Sequence, residues 1–273
     1  MRPSSRSLAF HKMHGLGNDF VVIDARDRSV EMTEALARAL ANRRTGIGCD
    51  QLILLEPSDA ADLTMRIFNA DGGEVEACGN AARCVTQLVG DGAVIETAGG
   101  TISGRANSAG ATLEMGEPRF DWDAIPLAYA MDPANMPVGW ENLENPAAVN
   151  VGNPHIVFFV ADAPAIDLAR LGPIIENDPL FPERINVNVA TIEPDGSITL
   201  RVWERGAGLT RACGTGACAT MVAAVQRKLV DGETVVHLPG GDLKIEWAPG
   251  RTIRMTGPAT HVFSGEIDTE KLL

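Results

Sequence analysis

The stretch from Ile198 to Val230, ITLRVWERGAGLTRACGTGACATMVAAVQRKLV, repeats a pattern found 135 residues earlier. That earlier stretch, from Leu63 to Cys78, reads LTMRIFNADGGEVEAC. No gap is needed to pair Thr64 with Thr199, Arg66 with Arg201, Gly73 with Gly208, Cys78 with Cys213 and Gly79 with Gly214. The same offset pairs Gly17-Asn18 with Gly152-Asn153, and Gln51 with Asn186. The chain therefore reads as two copies of one unit.

The repeat predicts two thiols in one site. Two equivalent units related by a pseudo-twofold axis place equivalent residues opposite each other, so Cys78 and Cys213 would face one cleft. One group could then remove a proton from one face of a carbon acid while the other delivers a proton to the opposite face. Each cysteine precedes a glycine that opens a predicted helix. The amino end of such a helix lowers a thiol pKa and binds a carboxylate.

Composition limits the choice of partners and location. The formal charge of -13 argues against nucleic acid or an anionic membrane, which both require clustered Lys and Arg. Hydrophobic residues make up 45% of the chain, enough for substantial cores. The amino end carries Arg2 and Arg6 but lacks an apolar run of signal-peptide length, and no stretch reaches the length of a transmembrane helix. We expect a cytoplasmic protein.

The five cysteines fit neither a secreted disulfide framework nor a zinc ribbon, because their number is odd and C-x-x-C spacing is absent. We therefore predict reduced thiols and no metal site. Cys49, Cys84 and Cys218 lie in apolar or helical surroundings and are interpreted as packing residues. Cys78 and Cys213 differ because they occupy the same position of the repeat.

The pattern of elements predicts an α+β fold. Ala217 to Val225 is apolar or small on every side, so this helix must be enclosed, and a curved sheet around it is the simplest solution. We predict two pseudo-twofold-related units, each a strongly curved mixed sheet wrapped around a central helix, with the active site in the cleft between them. The predicted bounds are residues 1–120 and 121–265, with a carboxy-terminal tail at 266–273. Thr33 and Asp167 are predicted helix caps.

Side-chain amides recur around the two thiols. Each of these residues, taken alone, could be an ordinary turn or strand-end residue, but the repeat offset pairs four of them across the two halves. Groups that both donate and accept hydrogen bonds suit a zwitterionic amino acid. The predicted set is Asn18, Gln51, Asn69, Asn153 and Asn186.

The halves diverge where Glu204 and Arg205 replace Asn69 and Ala70. Arg205 could clamp a carboxylate, and Glu204 could meet an ammonium group or influence a thiol. A solvated ion pair at a strand end is the alternative for both. His155 could be a satisfied core histidine or a group acting near the thiols.

The motifs HGLGNDFVVID, FNADGGEVEACGNAARC, GNPH and WERGAGLTRACGTGACA together resemble the diaminopimelate epimerase family, over Phe10 to about Phe263. The resemblance implies a cofactor-independent isomerase that interconverts LL- and meso-2,6-diaminopimelate for lysine and peptidoglycan synthesis, as a cytoplasmic homodimer. It implies Cys78 and Cys213 as acid and base, influenced by His155 and Glu204. It also implies substrate contacts from Asn18, Gln51, Asn69, Gly79, Asn80, Asn153, Asn186, Glu204, Arg205, Gly214 and Thr215.

Three residues depart from the family pattern. Ala81 stands where glycine is common, which is harmless in the first turn of a helix. Leu209 replaces a common acidic residue and removes any polar role there. Phe263 stands near a frequent Tyr at the subunit contact, so it keeps the ring and loses the hydroxyl.

Three further functions compete with the epimerase as interpretations of the sequence. A proline-type racemase shares the two-thiol chemistry, but the amide set with Arg205 suits a substrate with a second amino acid end. A thiol redox protein would place two cysteines in one motif, and an amino acid binding protein would need no thiols. Exchange of the α-hydrogen in deuterated water, without added cofactor, separates these readings.

Overall fold

The computed structural model describes residues 7–75 and 78–272. Arg2 and Arg6, residues 76 and 77, and the last residue of the predicted tail lie outside the described residues. The chain separates into two compact units, one of Met1–Leu113 with Gly257–Leu273 and the other of Glu114–Thr256.

The first unit contains a mixed set of strands and two helices. Its elements are β1 (Ser7–Gly15), β2 (Asn18–Asp24), α1 (Glu34–Ala41), β3 (Gln51–Glu56), β4 (Leu63–Asn69), β5 (Glu74–Val75), α2 (Gly79–Val89), β6 (Val94–Thr97), β7 (Gly100–Asn107), β8 (Gly110–Glu114) and, from the end of the chain, β19 (Thr260–Asp268). Strand β1 is antiparallel to β2 and β19, β2 is parallel to β3, and β3 is antiparallel to β4. Strand β4 continues the sheet in parallel with β6, which is antiparallel to β7.

The second unit has one extra hairpin, β9 and β10, and then repeats this order of elements from β11 onwards. They are β9 (Gly139–Trp140), β10 (Leu143–Glu144), β11 (Ala147–Asn150), β12 (Pro154–Phe159), α3 (Leu168–Glu176), β13 (Asn186–Ile192), β14 (Ile198–Glu204), β15 (Gly208–Thr210), α4 (Gly214–Gln226), β16 (Glu233–Leu238), β17 (Gly241–Glu246) and β18 (Arg254–Gly257). Strand β12 is antiparallel to β11 and parallel to β13, β14 is antiparallel to β13 and parallel to β16, and β17 is antiparallel to β16. This is the strand sequence of the first unit.

The repeat offset extends to the register of the strands. Phe20 pairs with Gln51 between β2 and β3, and His155 pairs with Asn186 between β12 and β13. Both partners therefore shift by the same 135 residues. Helices α2 and α4 likewise begin at glycines at this offset. The duplication read from the sequence is thus a duplication of structure.

Each of the two cysteine motifs opens a helix enclosed by its own unit. In α4, every residue from Gly216 to Ala224 is buried, and the helix contacts β11, β12, β13 and β17. In α2, residues Asn80 to Thr86 are buried, and the helix packs on β1 and β7. Small side chains let a sheet approach such a helix from several sides. The prediction of an α+β unit with a central helix is confirmed.

The predicted cap at Thr33 is confirmed, since its side-chain oxygen accepts a hydrogen bond from the Leu36 amide at 3.2 Å. Helix α1 then buries Leu36, Ala37 and Leu40 as its periodicity predicts. Asp167 occupies the capping position of α3, although its side chain makes no capping hydrogen bond. Its carboxylate lies 3.5 Å from the Arg170 guanidinium instead.

The structure places the unit boundaries differently from the prediction of 1–120, 121–265 and 266–273. The first unit ends at Leu113, and the chain returns to it at Gly257. Strand β19 pairs with β1 from Ser7 opposite Asp268 to His14 opposite Thr260. A pairing between such distant segments leaves no local sequence signal, so β19 was assigned to the second unit and the tail.

None of the helices in the part of the chain that the structure describes has the length and apolar character needed to span a bilayer.

Candidate active site

The first thiol stands at the start of a helix. Cys78 is the residue before α2, has an extended backbone and is half-buried. Its Sγ lies 3.8 Å from Oδ1 of Asn18, at the start of β2. Since a carbonyl oxygen only accepts, this contact is a hydrogen bond from the protonated thiol. The structure therefore joins two predicted site residues that are 60 positions apart in sequence.

Asn80 extends this cluster into the buried face of α2. Its Nδ2 donates to Oδ1 of Asn18 at 3.3 Å, and its own Oδ1 accepts from Nη2 of Arg83 at 2.8 Å. Arg83 is fully buried, and its Nε also donates to the Pro258 carbonyl at 3.4 Å. The sequence analysis did not single out Arg83. In the sequence, the sign of this contact is that Arg83 follows Asn80 by three residues, a spacing that places both side chains on one face of a helix.

Gln51 and Asn69 face each other across β3 and β4, where their backbones are in register. Nε2 of Gln51 donates to Oδ1 of Asn69 at 3.0 Å. Within the described residues, Oε1 of Gln51 is buried and has no hydrogen-bond partner. A buried acceptor without a partner costs about 1–3 kcal/mol, which a ligand donor would offset.

The second thiol has a more enclosed setting. Cys213 precedes α4 and is buried, and its Sγ accepts from the Gly216 amide at 3.3 Å and lies 3.5 Å from Oγ1 of Thr215. Burial, followed by the negative charge of Glu204, raises the pKa of Cys213 well above its ordinary value. The expectation that the helix end lowers this pKa is therefore wrong for the unliganded chain, because desolvation outweighs the helix amides.

Gly216 has no room for a side chain. A Cβ at this position would lie 2.7 Å from Oδ1 of Asn188 and 3.3 Å from the sulfur of Cys213. The second glycine of the G-T-G sequence thus lets α4 begin tightly against both groups. Its counterpart in the first unit is Ala81, which is buried in α2.

His155 lies wholly inside the second unit. Nδ2 of Asn188 donates to the Ile156 carbonyl at 2.9 Å, so the same amide nitrogen, 3.1 Å from Nδ1 of His155, is a donor to that ring nitrogen. Nε2 of His155 must then carry the proton, which it donates to Oδ1 of Asn153 at 2.9 Å. Burial lowers the pKa of His155 to about 3. His155 is therefore a neutral donor that fixes the amide of Asn153.

Asn186 opens β13, and Arg205 follows the last residue of β14, the strand antiparallel to it. Oδ1 of Asn186 accepts from the Arg205 amide at 2.9 Å, and Nδ2 of Asn186 donates to the Pro154 carbonyl at 2.8 Å. The guanidinium of Arg205 donates to the Glu183 carbonyl at 3.0 Å. Glu204 and Arg205 do not form the alternative surface ion pair in the structure. The guanidinium of Arg205 contacts the Glu183 carbonyl, and Glu204 lies near Cys213.

Glu176, at the end of α3, is a further supporting residue that sequence reasoning missed. Its buried carboxylate accepts from Nε1 of Trp203 at 2.7 Å and from the Gly206 amide at 2.8 Å. These two residues flank Glu204 and Arg205. A buried acid on an amphipathic helix was the available signal, since such a group requires several donors.

The remaining cysteines have the surroundings of packing residues, as predicted. Cys49, Cys84 and Cys218 are buried. Desolvation raises the pKa of Cys49 to about 11 and that of Cys84 to about 12. Such thiols are poor nucleophiles and poor bases at neutral pH.

Comparison with known proteins adds independent evidence. The family model described as diaminopimelate epimerase matches residues 10–120 and 147–262. A diaminopimelate epimerase of Rhizorhabdus wittichii is 68% identical over 260 residues, covering 95% of each chain. One of Sphingopyxis alaskensis is 66% identical over 259 residues, covering 95% of this chain and 97% of the relative.

Solved structures share the fold at low identity. A phenazine biosynthesis protein of the PhzF family from Enterococcus faecalis superposes with a TM-score of 0.69 at 14% identity, over 96% of this chain and 99% of that one. A probable proline racemase from Agrobacterium radiobacter gives 0.66 at 16% identity, over 95% and 92% of the two chains. Identities this low establish the fold alone.

We predict that His155 stays neutral throughout the working pH range. A histidine with a lowered folded pKa binds more protons when unfolded, so its contribution to the free energy of unfolding falls as pH drops below about 6.5. The ring nitrogen shifts of His155 in NMR should show the Nε2-protonated neutral form and no titration between about pH 5 and 8. His237, which is exposed beside Asp242, serves as the solvent-exposed reference histidine. A His155 midpoint within that window would contradict the prediction.

Proposed function

The chain belongs to the diaminopimelate epimerase family, and on this premise we propose that Cys78 and Cys213 are its two proton carriers. It is an isomerase that interconverts LL- and meso-2,6-diaminopimelate in lysine biosynthesis. The same reaction serves peptidoglycan synthesis. Inversion of the α-carbon requires a base on one face and an acid on the other, and two equivalent thiols provide both.

The main support is the matching position of the thiols in the duplicated structure. Each is the residue before a helix that begins with glycine, at the same offset in both units. The free amides of Gly79-Asn80 and of Gly214-Thr215 then serve as donors for the carboxylate at the reacting carbon. Such donors also stabilise the negative charge that develops on that carboxylate when the α-proton leaves.

The polar neighbours of the thiols differ in chemical type, but both favour the protonated thiol. Cys78 donates to an amide oxygen, which favours its protonated form. Cys213 lies near the carboxylate of Glu204, whose negative charge also disfavours the thiolate. The thiol that acts as the base when LL-diaminopimelate is converted to the meso form acts as the acid in the reverse reaction. The other thiol does the opposite, as microscopic reversibility requires.

The amides and Arg205 account for recognition of the substrate. The buried, unpartnered Oε1 of Gln51 can accept from a substrate ammonium group, and Asn153, whose oxygen is held by His155, keeps its amide nitrogen for a substrate oxygen. Arg205, with Asn69 and Asn186, recognises the distal amino acid end. Arg205 has one carbonyl contact in the structure and retains further donors for a bidentate carboxylate.

We predict that Cys78→Ser and Cys213→Ser each reduce kcat by at least about a thousandfold, because a serine hydroxyl is a far weaker acid and base than a thiol. Release of the α-hydrogen into deuterated water is the measurement, in both directions. Cys218→Ser, at a buried thiol outside the site, is the matched control. Retention of most of the wild-type rate by either variant would exclude that cysteine as a proton carrier.

Arg205→Ala should lower kcat/KM for diaminopimelate by about thirtyfold or more, since loss of a partner for a desolvated carboxylate costs about 2–5 kcal/mol. Slow α-hydrogen exchange of a small amino acid should change much less. The control is Arg170→Ala, which removes an exposed ion pair with Glu141. Equal losses for the two substrates would place Arg205 at the reacting carbon instead.

A homodimer and a cytoplasmic location complete the proposal. Val262 and Phe263 on β19 are 54% and 48% exposed, and the Phe263 ring packs edge-on to Phe10 at 6.0 Å. Exposed apolar side chains on one strand favour a second copy as the partner. The reduced thiols suit the cytoplasm, which cell fractionation would test.

We predict that Phe263→Glu shifts the protein from dimer to monomer in sedimentation equilibrium, because a charge cannot be desolvated at such a contact without a partner. Leu229→Glu, at a leucine that is 42% exposed in the second unit, should leave the mass unchanged. A wild-type chain that is already monomeric at micromolar concentration would refute the dimer.

A further inference from the structure

A charged network stands behind Asn18 in the first unit. Oδ2 of Asp50 accepts from Nδ2 of Asn18 and from the Asp19 amide, both at 3.1 Å. Oδ1 of Asp50 accepts from Nη2 of Arg43 at 2.6 Å. None of these charged residues was among the predicted site residues. The network thus contacts the Asn18 amide, which also faces Cys78.

The clamp on Asp50 is itself well anchored. Arg43 also donates to Asp19 at 3.0 Å, and Lys12 donates to Asp19 and to the Gly48 carbonyl. Burial works against the charge of Asp19, but hydrogen bonds from Arg43 and Lys12 outweigh it and hold the pKa of Asp19 well below its ordinary value. Two carboxylates and two cations thus tie the loop before β3 to the start of β2.

The orientation of the Asn18 amide follows from the chemistry of a carboxylate. An ionised Asp50 can only accept, so the nitrogen of the Asn18 amide must face it. The opposite end of the amide is the oxygen, which faces Sγ of Cys78 at 3.8 Å and Nδ2 of Asn80 at 3.3 Å. A flipped amide would place two oxygens together on one side and two amide nitrogens together on the other. Asp50 therefore decides which end of Asn18 meets the thiol.

We propose that Asp50, clamped by Arg43, is a positioning residue that turns the Asn18 oxygen towards Cys78 and so keeps this thiol protonated in the resting enzyme. A thiol donates to that oxygen, whereas a thiolate would be repelled by it. The proposal deepens the proposed function by naming the residue that sets which end of the Asn18 amide meets Cys78. It rests on the role of Cys78 as a proton carrier.

The second unit has no such charged network at the equivalent positions. The repeat offset replaces Asp19, Arg43 and Asp50 with Pro154, Asp178 and Ile185. There the amide of Asn153 is held by its oxygen, through His155. The paired amides Asn18 and Asn153 are consequently fixed by opposite ends, so the two halves present different groups from the same position of the repeat.

Two other described groups near Cys78, Arg83 and Cys84, differ from Asp50 in what they contact or in their charge. The buried charge of Arg83 is directed at Oδ1 of Asn80 and the Pro258 carbonyl, and the neighbouring thiol Cys84 has its pKa raised by burial. Removal of Asp50 also removes a negative charge, which alone would favour the thiolate. The experiment must therefore separate the orientation of an amide from the effect of a charge.

A double-mutant cycle on thiol reactivity makes this separation. The rate of Cys78 alkylation by iodoacetamide is measured by peptide mapping from about pH 6 to 9 in wild type, Asp50→Ala, Asn18→Ala and the double variant. Asp50→Ala should accelerate alkylation roughly tenfold at neutral pH, which corresponds to one pKa unit, because the freed amide can turn its nitrogen to the thiolate. In the Asn18→Ala background the same substitution should have a much smaller effect.

The outcomes are distinct. An equal acceleration by Asp50→Ala in both backgrounds would show that Asp50 acts through its charge and would overturn the proposal, as would a wild-type rate in Asp50→Ala. Asp24→Ala, at an exposed carboxylate paired with Arg26 on the far end of β2, should leave the alkylation rate unchanged. Circular dichroism checks each fold, and Asp50→Ser replaces Asp50→Ala if the latter unfolds. Alkylation does not require turnover. If Cys78 takes no part in epimerisation, the Cys78→Ser assay will therefore show this separately.

Discussion

A side-chain amide has one donor end and one acceptor end, and the neighbour on its far side decides which end meets a ligand or a thiol. This constraint applies in each of the two units. A carboxylate holds the nitrogen of Asn18, whereas a neutral histidine holds the oxygen of Asn153. Neither amide can serve the other's purpose without a change of its neighbour. The chemistry of the site thus depends on residues one step removed from the thiols.

Burial decides the properties of these supporting residues. His155 is enclosed and therefore neutral, which makes it a dependable donor and removes it as a base at neutral pH. Glu176 is also enclosed, and it keeps donors from Trp203 and Gly206 on either side of the Glu204-Arg205 pair. By contrast, Asp50 and Arg43 are largely exposed, and their ion pair contributes little to folding. The ion pair acts by fixing the position of the Asp50 carboxylate beside Asn18.

The sequence predicts most of the fold because the repeat is collinear. The bounds of β3 and β4 and the first residues of α2 and α4 follow from the paired motifs, as does the enclosure of α4. The placement of β19 does not follow, because its partner β1 lies at the other end of the chain. Among the site residues, the thiols and the paired amides could be predicted because each has a counterpart in the other half of the repeat. Asp50 and Glu176 were not, since each serves one half only and has no counterpart to reveal it.

The return of the chain to the first unit has a consequence for synthesis on the ribosome. The first unit needs β19 beside β1 and the Pro258 carbonyl beside Arg83, so its sheet can be completed only after residue 268 has emerged. The second unit, whose residues end at Thr256, is available earlier. The half that is translated first is therefore finished last. Until then, the edge of β1 that will receive β19 is left unpaired, a surface that chaperones or a neighbouring nascent chain could engage.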